Sequence, residues 1–203
     1  MKHFKKKSDI QISKRREIFQ AAEKIFAEKG FQNTTVDEIA KIANIGKGTV
    51  YIYFKNKLEL FLSLIEERVE NIFSITSKVL TEKRDFLKRL ENLVNAQFAF
   101  YQENEDFFKI FSSERSRFFA EVKIELKKEI IKKYQSHIDL IAKFIQEGVD
   151  KNILKNLDSK MVSVSLAGLI HAFMLQWIMI GETYNLVDNT SFVVNLFLEG
   201  VKK

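Results

Sequence analysis

The chain has 203 residues, 46% of them hydrophobic, which is enough for one large domain or two smaller ones. It contains no cysteine, which excludes disulfides, thiolate metal sites and cysteine nucleophiles. Its net charge of +6 is uneven: residues 1–57 carry thirteen Lys/Arg and six Asp/Glu, whereas residues 58–203 are close to neutral. A basic module on a neutral body indicates a polyanionic partner, either nucleic acid or an anionic membrane surface.

The first predicted element is an amphipathic helix over residues 13–29. Apolar residues from Ile18 to Phe26 recur at helical spacing, and Gly30 follows as a glycine able to take the left-handed conformation that ends a helix. The basic residues before this helix form an N-terminal tail that we expect to be disordered in the free protein and to follow the phosphates of a polyanion once bound.

Two cap signals place the next helices. Residues 35–38 read Thr-Val-Asp-Glu, a capping box that starts a second helix, which ends at a tight turn over residues 44–46. Residues 56–59 read Asn-Lys-Leu-Glu and start a long helix. Since proline is absent from the chain, little in the sequence interrupts helices, and we predict an all-α fold.

The stretch between these signals is rich in strand-forming residues. Thr49 to Phe54 is almost entirely β-branched or aromatic, yet no partner strand precedes or follows it. We therefore expect tertiary context to impose a short helix, with Val50 and Phe54 packed inward and the polar and aromatic residues outside. This order of helix, four-residue turn and second helix, in which the second helix exposes a polar and aromatic face, is that of the helix-turn-helix of DNA-binding proteins.

Short motifs recur in register across residues 15–61. They are Phe-Ala-Glu-Lys-Gly-Phe at 26–31, Thr-Thr-Val at 34–36, Ile-Ala at 39–40, Gly-Lys-Gly-Thr-Val-Tyr at 46–51, Tyr-Phe-Lys-Asn-Lys at 53–57 and Leu-Phe at 60–61. The segment resembles the DNA-binding domain of the tetracycline-repressor (TetR) family. The resemblance implies a homodimeric transcriptional regulator, usually a repressor that is released from its operator by a small molecule.

Several side chains are candidates for DNA contact. The Thr35 hydroxyl can reach a phosphate at a helix N-terminus or act only as a cap, and Lys47 can reach a guanine edge or a phosphate. Gly48 allows close approach of the helix to the bases. The resemblance implies that Thr49, Tyr51 and Tyr53 contact the DNA backbone and that Lys57 contacts a phosphate. Either tyrosine can instead be buried in the protein. Asp37, on a position that can face DNA, is expected to accept from cytosine or to pair with Lys41.

The remainder of the chain reads as further helices. Their predicted ranges are 83–103, 105–112, 114–149, 158–182 and 189–202. We accordingly assign residues 1–56 to the helix-turn-helix domain with its basic tail and residues 57–203 to a helical effector-binding and dimerisation domain. Ala167, Gly168 and Ala172 suit a close-packed four-helix dimer interface with the last helix.

Nineteen phenylalanines suggest an aromatic pocket for a small, largely apolar effector. Each ring can equally be a plain core residue. The candidate lining residues are Phe73, Gln97, Tyr101, Phe108, Phe111, Phe119, Phe173 and Trp177.

Other functions are less consistent with the sequence. No nucleophile–base pair, metal-ligand cluster or paired acids can be placed, so we expect neither an enzyme nor a cofactor or metal. Residues 161–181 are uncharged and long enough to span a bilayer, but a helix packed on both faces looks the same, and we expect no membrane partner. With no apolar segment after the basic N-terminus, a cytoplasmic protein is expected. The alternatives are a sequence-tolerant architectural DNA-binding protein without effector and a helical lipid carrier that docks on anionic membrane.

Overall fold

A computed structural model describes the backbone of residues 2–121, 124–181 and 184–203, and the side chains of residues 11–114, 128–181 and 184–203. The described residues are α-helical, apart from turns, one 3₁₀ helix and one isolated β-bridge, so the predicted all-α class is confirmed. The helices are α1 (Lys2–Lys29), α2 (Val36–Ile42), α3 (Lys47–Tyr53), α4 (Lys57–Leu80), α5 (Phe86–Glu103), α6 (Glu105–Glu121), α7 (Ile124–Asp150), α8 (Ser159–Ile180), the 3₁₀ helix Leu186–Asn189 and α9 (Thr190–Val201).

The chain divides into two compact units. The N-terminal unit comprises Met1–Arg68 and Asp106–Arg117, and the C-terminal unit comprises Val69–Glu105 and Phe118–Lys203. The domain boundary predicted between residues 56 and 57 stays a prediction, because compact packing groups residues by contact and not by function.

Aromatic packing and one ion pair hold the N-terminal unit together. The Phe31 ring lies 5.4 Å from Phe26 and 5.1 Å from Phe61, so that α1, the turn after it and α4 share one core. Further along α4, Arg68 Nε donates to Glu23 Oε1 on α1 at 2.9 Å, and both side chains are largely buried. Thus α4 is fixed to α1 at two places about two helical turns apart.

The local signals read from the sequence are present. Gly30 has φ +77°, and the capping box forms between Thr35 and Glu38. Asn56 Oδ1 accepts from the Glu59 amide at 2.8 Å at the start of α4. In the four-residue turn between α2 and α3, Asn44 takes the left-handed conformation with φ +52°.

The C-terminal unit depends on close packing. The Phe86 ring stacks on Phe144 at 4.4 Å and lies against Gly148, where an added Cβ would meet its Cζ at 2.5 Å. Arg89 is buried beside them, and its guanidinium donates to the Leu80 carbonyl oxygen at 2.9 Å and pairs with the Glu147 carboxylate. These contacts join the end of α4 to α5 and α7.

Two expectations about helix bounds are wrong. The basic N-terminal tail is not a separate disordered segment, because α1 begins at Lys2 and runs without a break to Lys29. The break predicted at residue 113 also does not occur: α6 continues to Glu121, since the Ser113 hydroxyl donates to the Ile110 carbonyl oxygen at 2.9 Å and is accommodated within the helix. The ranges 158–182 and 189–202 match α8 and α9 closely.

Candidate nucleic-acid interface

The short helix α3 presents one apolar face inward and one mixed face outward. Val50 and Phe54 are 1% and 3% exposed, and both pack in the N-terminal unit as predicted. On the other side Lys47, Gly48 and Tyr51 are exposed. The helical reading of this β-rich stretch is therefore confirmed, because burial of two side chains four residues apart outweighs local strand propensity.

The outer face of α3 has a member that sequence reasoning missed. Ile52 is 79% exposed, more than any other apolar residue of the helix, while Thr49 and Tyr53 are half-buried. An exposed aliphatic side chain on such a face can contact a thymine methyl group. The sequence does contain a signal for the exposure of Ile52, because this residue lies one helical turn after Gly48 and therefore on the same outward side of α3.

An ion pair links α2 to α3. Lys47 Nζ donates to Asp37 Oδ2 at 2.7 Å, and both side chains are at least half exposed. The hydrogen bond from the ammonium to Asp37 raises the pKa of Lys47. Asp37 was expected to accept from cytosine or to pair with Lys41. In the structure its partner is instead Lys47, the lysine predicted to contact a base.

Thr35 begins α2 and takes part in a reciprocal cap. Its Oγ1 accepts from the Glu38 amide at 3.3 Å and donates to Glu38 Oε2 at 2.9 Å, while the Thr35 amide donates to the same oxygen at 2.9 Å. The ammonium of Lys29, bonded at 2.6 Å, and the two Thr35 donors lower the pKa of Glu38 to about 2. The capping role is thus established, and the phosphate contact stays a prediction.

Lys57 lies in the first turn of α4 and points its ammonium at backbone oxygens. Nζ donates to the carbonyl oxygens of Phe31 at 2.6 Å, Gln32 at 3.1 Å and Thr34 at 2.7 Å. It also lies 4.5 Å from the centroid of the Phe31 ring. Burial lowers the pKa of Lys57 against the attraction of Glu114 and Glu38. The sequence gives no sign of this contact, because its acceptors are main-chain atoms.

Comparison with known proteins identifies the arrangement. Residues 18–64 match the family model for bacterial regulatory proteins of the tetR family, and residues 54–200 match the model for the C-terminal region of YsiA-like proteins. The chain belongs to the TetR family. It is a transcriptional regulator of that family, and the α2–turn–α3 segment is its DNA-binding helix-turn-helix.

The relatives are regulators of similar length. The "Fatty acid metabolism regulator protein" of Bacillus subtilis is 24% identical over 186 residues, covering 91% of this chain and 94% of the relative. The fatty acid degradation regulator FadR from Bacillus halodurans superimposes with a TM-score of 0.80 at 26% identity, covering 92% and 95%. FadR from Bacillus subtilis, solved in complex with stearoyl-CoA, gives 0.77 at 25% identity, covering 91% and 98%.

The residues proposed to line an aromatic pocket are dispersed. Phe108 and Phe111 belong to the N-terminal unit, where their rings lie 5.0 Å and 5.9 Å from Phe107. Phe119 lies outside the described side chains. The remaining five belong to the C-terminal unit, so each unit is considered by itself.

Within the C-terminal unit these side chains have defined structural contacts. The buried Trp177 donates its indole N–H to the Tyr184 carbonyl oxygen at 2.8 Å. The Phe173 ring lies 6.3 Å from Phe98, and burial raises the pKa of Tyr101 to about 12. The ligand contacts assigned to these residues stay predictions.

A buried polar cluster surrounds the predicted Gln97. Its amide nitrogen donates to Thr76 Oγ1 at 3.1 Å, and Thr76 Oγ1 lies 3.2 Å from His137 Nε2. The amide nitrogen of Gln97 also lies 3.5 Å from His137 Nε2. Burial lowers the pKa of His137 to about 4.

Phe73 lines an open groove of about 600 Å³ between α4 and α7. Val69 and Phe73 supply apolar surface, and Lys132 and Lys133 lie among the polar lining residues. Lys133 Nζ pairs with Glu70 at 2.9 Å across it. Glu129 and Lys132, on α7, line this concave surface, and nothing in the sequence marks them as different from other exposed charged residues. The full lining is Val69, Glu70, Phe73, Ser74, Glu129, Lys132, Lys133 and Ser136.

The outer sides of α8 and α9 expose apolar residues. Of the described helices, α8 alone is long and apolar enough to cross a membrane, yet one of its sides packs into the C-terminal unit through Leu166, Ile170 and Met174. Gly168 lies on the opposite side, with no atom within 4 Å of an added Cβ. The exposed large side chains of the two helices are Met161, Val164, Met179, Ile180, Phe192 and Leu196.

Proposed function

We propose that this regulator is a repressor that binds a palindromic operator as a homodimer and is released by a long-chain acyl-CoA. The groove between α4 and α7 carries the effector assignment. An acyl-CoA combines an apolar chain with anionic phosphates. The groove combines the apolar Val69 and Phe73 with Lys132 and Lys133, and its lining also holds Glu70, paired with Lys133, and Glu129. The proposal therefore assigns the phosphates to Lys132. The relative that was solved with stearoyl-CoA supports the same chemical class.

The proposed effector is therefore an amphiphile, whereas the phenylalanine content led us to expect a small, largely apolar molecule. A charged end favours the exposed lysines, where lysine acts as a point charge toward phosphate. Cytoplasmic action follows from both partners, since DNA and acyl-CoA are found together in that compartment.

Dimerisation is proposed through the largely apolar outer sides of α8 and α9. Met161, Val164, Gly168, Ala172 and Met179 follow one another at helical spacing along α8, and a contiguous exposed apolar surface marks an interaction site. A two-fold interface would bring two copies of both helices together.

The dimer is tested by Gly168→Glu with Asn95→Glu as the control. No atom lies within 4 Å of a Cβ added at Gly168, and Asn95 is exposed on α5, so both variants are compatible with the folded protomer. Sedimentation should show monomers or aggregates with little operator binding for Gly168→Glu and an active dimer for Asn95→Glu. A fully active Gly168→Glu monomer would contradict the interface.

The effector is tested on an operator selected from a pool of random duplexes. Stearoyl-CoA should weaken operator binding by roughly 5- to 150-fold, which corresponds to a coupling of about 1–3 kcal/mol. Stearate alone and CoA alone separate the contributions of chain and head group. If no acyl-CoA alters operator binding, the release mechanism is refuted, and equal competition by bulk DNA would favour the architectural alternative.

A charge reversal localises the head group. Lys132→Glu should weaken stearoyl-CoA binding and the release of operator while leaving ligand-free operator affinity unchanged. Lys128→Glu, one turn earlier on α7 and outside the groove lining, is the matched control. Equal effects of the two variants would place the head group elsewhere.

A further inference from the structure

The amino group of Lys57 is held in a socket of three main-chain oxygens. The carbonyls of Phe31, Gln32 and Thr34 lie in the turn between α1 and α2, immediately after the left-handed Gly30. Carbonyls that follow the end of a helix lack intrahelical partners and carry partial negative charge, so this turn is a natural cation site.

The hydrogen-bonding capacity of the ammonium is used up. A lysine ammonium has three N–H donors, and each of the three acceptors lies within 3.1 Å of Nζ. The Phe31 ring adjoins the same ammonium at 4.5 Å. No donor remains for a phosphate oxygen while the socket is occupied.

We propose that Lys57 is a positioning residue for DNA binding, which fixes the turn between α1 and α2 and thereby the start of α2, and that it is not a phosphate ligand. Thr35, the first residue after the socket, caps α2, and α2 holds Lys47 of α3 through Asp37. Loss of the socket contact therefore loosens the frame on which the DNA-facing side chains are mounted.

The socket discriminates between lysine and arginine. The compact ammonium directs three donors at three separate oxygens, whereas the planar guanidinium presents a rigid fork suited to two oxygens of one anion. A phosphate contact would survive Lys57→Arg, but the socket would not. Lys57→Met removes both charge and donors with little change in length.

Binding to a random-sequence duplex should be measured over a series of salt concentrations, under conditions in which every variant is fully folded by circular dichroism. Both Lys57→Arg and Lys57→Met should lose about fivefold or more in affinity, since the partly buried carbonyls of Phe31 and Thr34 lose the ammonium donor. The slope of log affinity against log salt should equal that of the wild type in both. Lys24→Met, at an exposed lysine of α1, serves as the control for the loss of one charge.

The proposal is overturned if Lys57→Arg keeps wild-type affinity, or if Lys57→Met flattens the salt slope by about one unit, as loss of a phosphate contact does. A wild-type affinity in Lys57→Met also overturns it.

A chemical variant covers the case in which these proteins fail to fold. Because the chain has no cysteine, Lys57→Cys can be alkylated uniquely on sulfur in denaturant and then refolded. Aminoethylation restores an ammonium at the lysine position and should restore affinity. The trimethylammonium analogue keeps the charge without N–H donors and should fail, and equal rescue by both reagents contradicts the socket.

Discussion

The two units of the molecule place their polar contacts differently. The N-terminal unit adds directed polar contacts at defined places to its aromatic core: two helix caps, the Lys57 socket and the buried pair between Arg68 and Glu23. In the C-terminal unit polar groups such as Arg89 are buried among interdigitated apolar side chains, with close approaches such as Phe86 against Gly148.

This difference matches what each unit has to do. A helix-turn-helix must hold a few side chains in one geometry against DNA, and directed hydrogen bonds fix orientation as well as position. The function proposed for the C-terminal unit requires it to admit an apolar acyl chain, and apolar packing is non-directional. Variants in one unit should damage mainly that unit, which hydrogen exchange resolves region by region.

The largest effect is expected for Arg68→Met. Burial already raises the pKa of Glu23, and this variant would leave its carboxylate buried without a cation, near Glu67 and Asp106. Breaking a buried pair by removing one partner costs about 3–5 kcal/mol. Urea unfolding should show this loss of stability, and hydrogen exchange should show faster exchange of the amides of α1. The exposed pair Lys14–Glu17 is the control, because Lys14→Met should cost less than about 1 kcal/mol. Similar losses would contradict the assignment.

The second effect is a pH dependence confined to the C-terminal unit. The folded protein resists protonation of His137, whose pKa of about 4 lies below the value of 6.5 for a free histidine. Its contribution to stability is therefore complete above pH 6.5 and falls as the pH drops from 6.5 toward 4, by at most roughly 3 kcal/mol.

His137→Gln removes the titrating group and keeps a hydrogen-bonding side chain. The difference in unfolding free energy between wild type and variant should shrink as the pH falls from 7 to 4.5. Since all other carboxyl and imidazole groups are common to both proteins, parallel pH profiles would show that His137 is not a buried neutral base.

A third variant tests close packing. Gly148→Ala places a Cβ 2.5 Å from Phe86 Cζ, and the ring is held by its stack on Phe144. Overpacking of this kind costs about 1–3 kcal/mol. Gly200→Ala meets no atom within 4 Å and should leave stability unchanged or raise it slightly. A neutral Gly148→Ala would mean that the C-terminal unit yields more readily than its packing indicates.

The smallest effect is expected at the cap of α2. Thr35→Ala removes the acceptor for the Glu38 amide and should cost about 1 kcal/mol in the N-terminal unit. Thr81→Ala removes a hydroxyl bonded to the Ser77 and Lys78 carbonyls, with no helix N-terminus involved, and should cost less. Chemical denaturation should be used to compare the free energies of unfolding of the two variants. A smaller loss for Thr35→Ala than for Thr81→Ala would contradict the stabilising role of the cap.

The sequence predicted the N-terminal unit well because its determinants are local. The capping box at Thr35, the cap at Asn56 and the left-handed Gly30 each involve residues within four positions, and all three are present. Lys57 marks the limit of prediction from local sequence. Its partners lie 23 to 26 residues away and are main-chain atoms, which a pattern of residue types cannot indicate.

The C-terminal unit was predicted only in outline for the same reason. Helix periodicity located α8 and α9, but it could not tell which phenylalanine rings converge, and Phe111 fell in the other unit. The groove between α4 and α7 joins residues more than fifty positions apart, and Lys132 is indistinguishable by sequence from a solvated lysine. Long-range pairing, and not propensity, determines such a surface.

The central claim, that effector and operator compete through the conformation of one protein, is tested most directly by reciprocity. The affinity for stearoyl-CoA should be measured by calorimetry without DNA and with saturating selected operator. Linkage requires operator to weaken stearoyl-CoA binding by the same factor, roughly 5- to 150-fold, by which stearoyl-CoA weakens operator binding. An unchanged affinity for stearoyl-CoA at saturating operator would contradict the account.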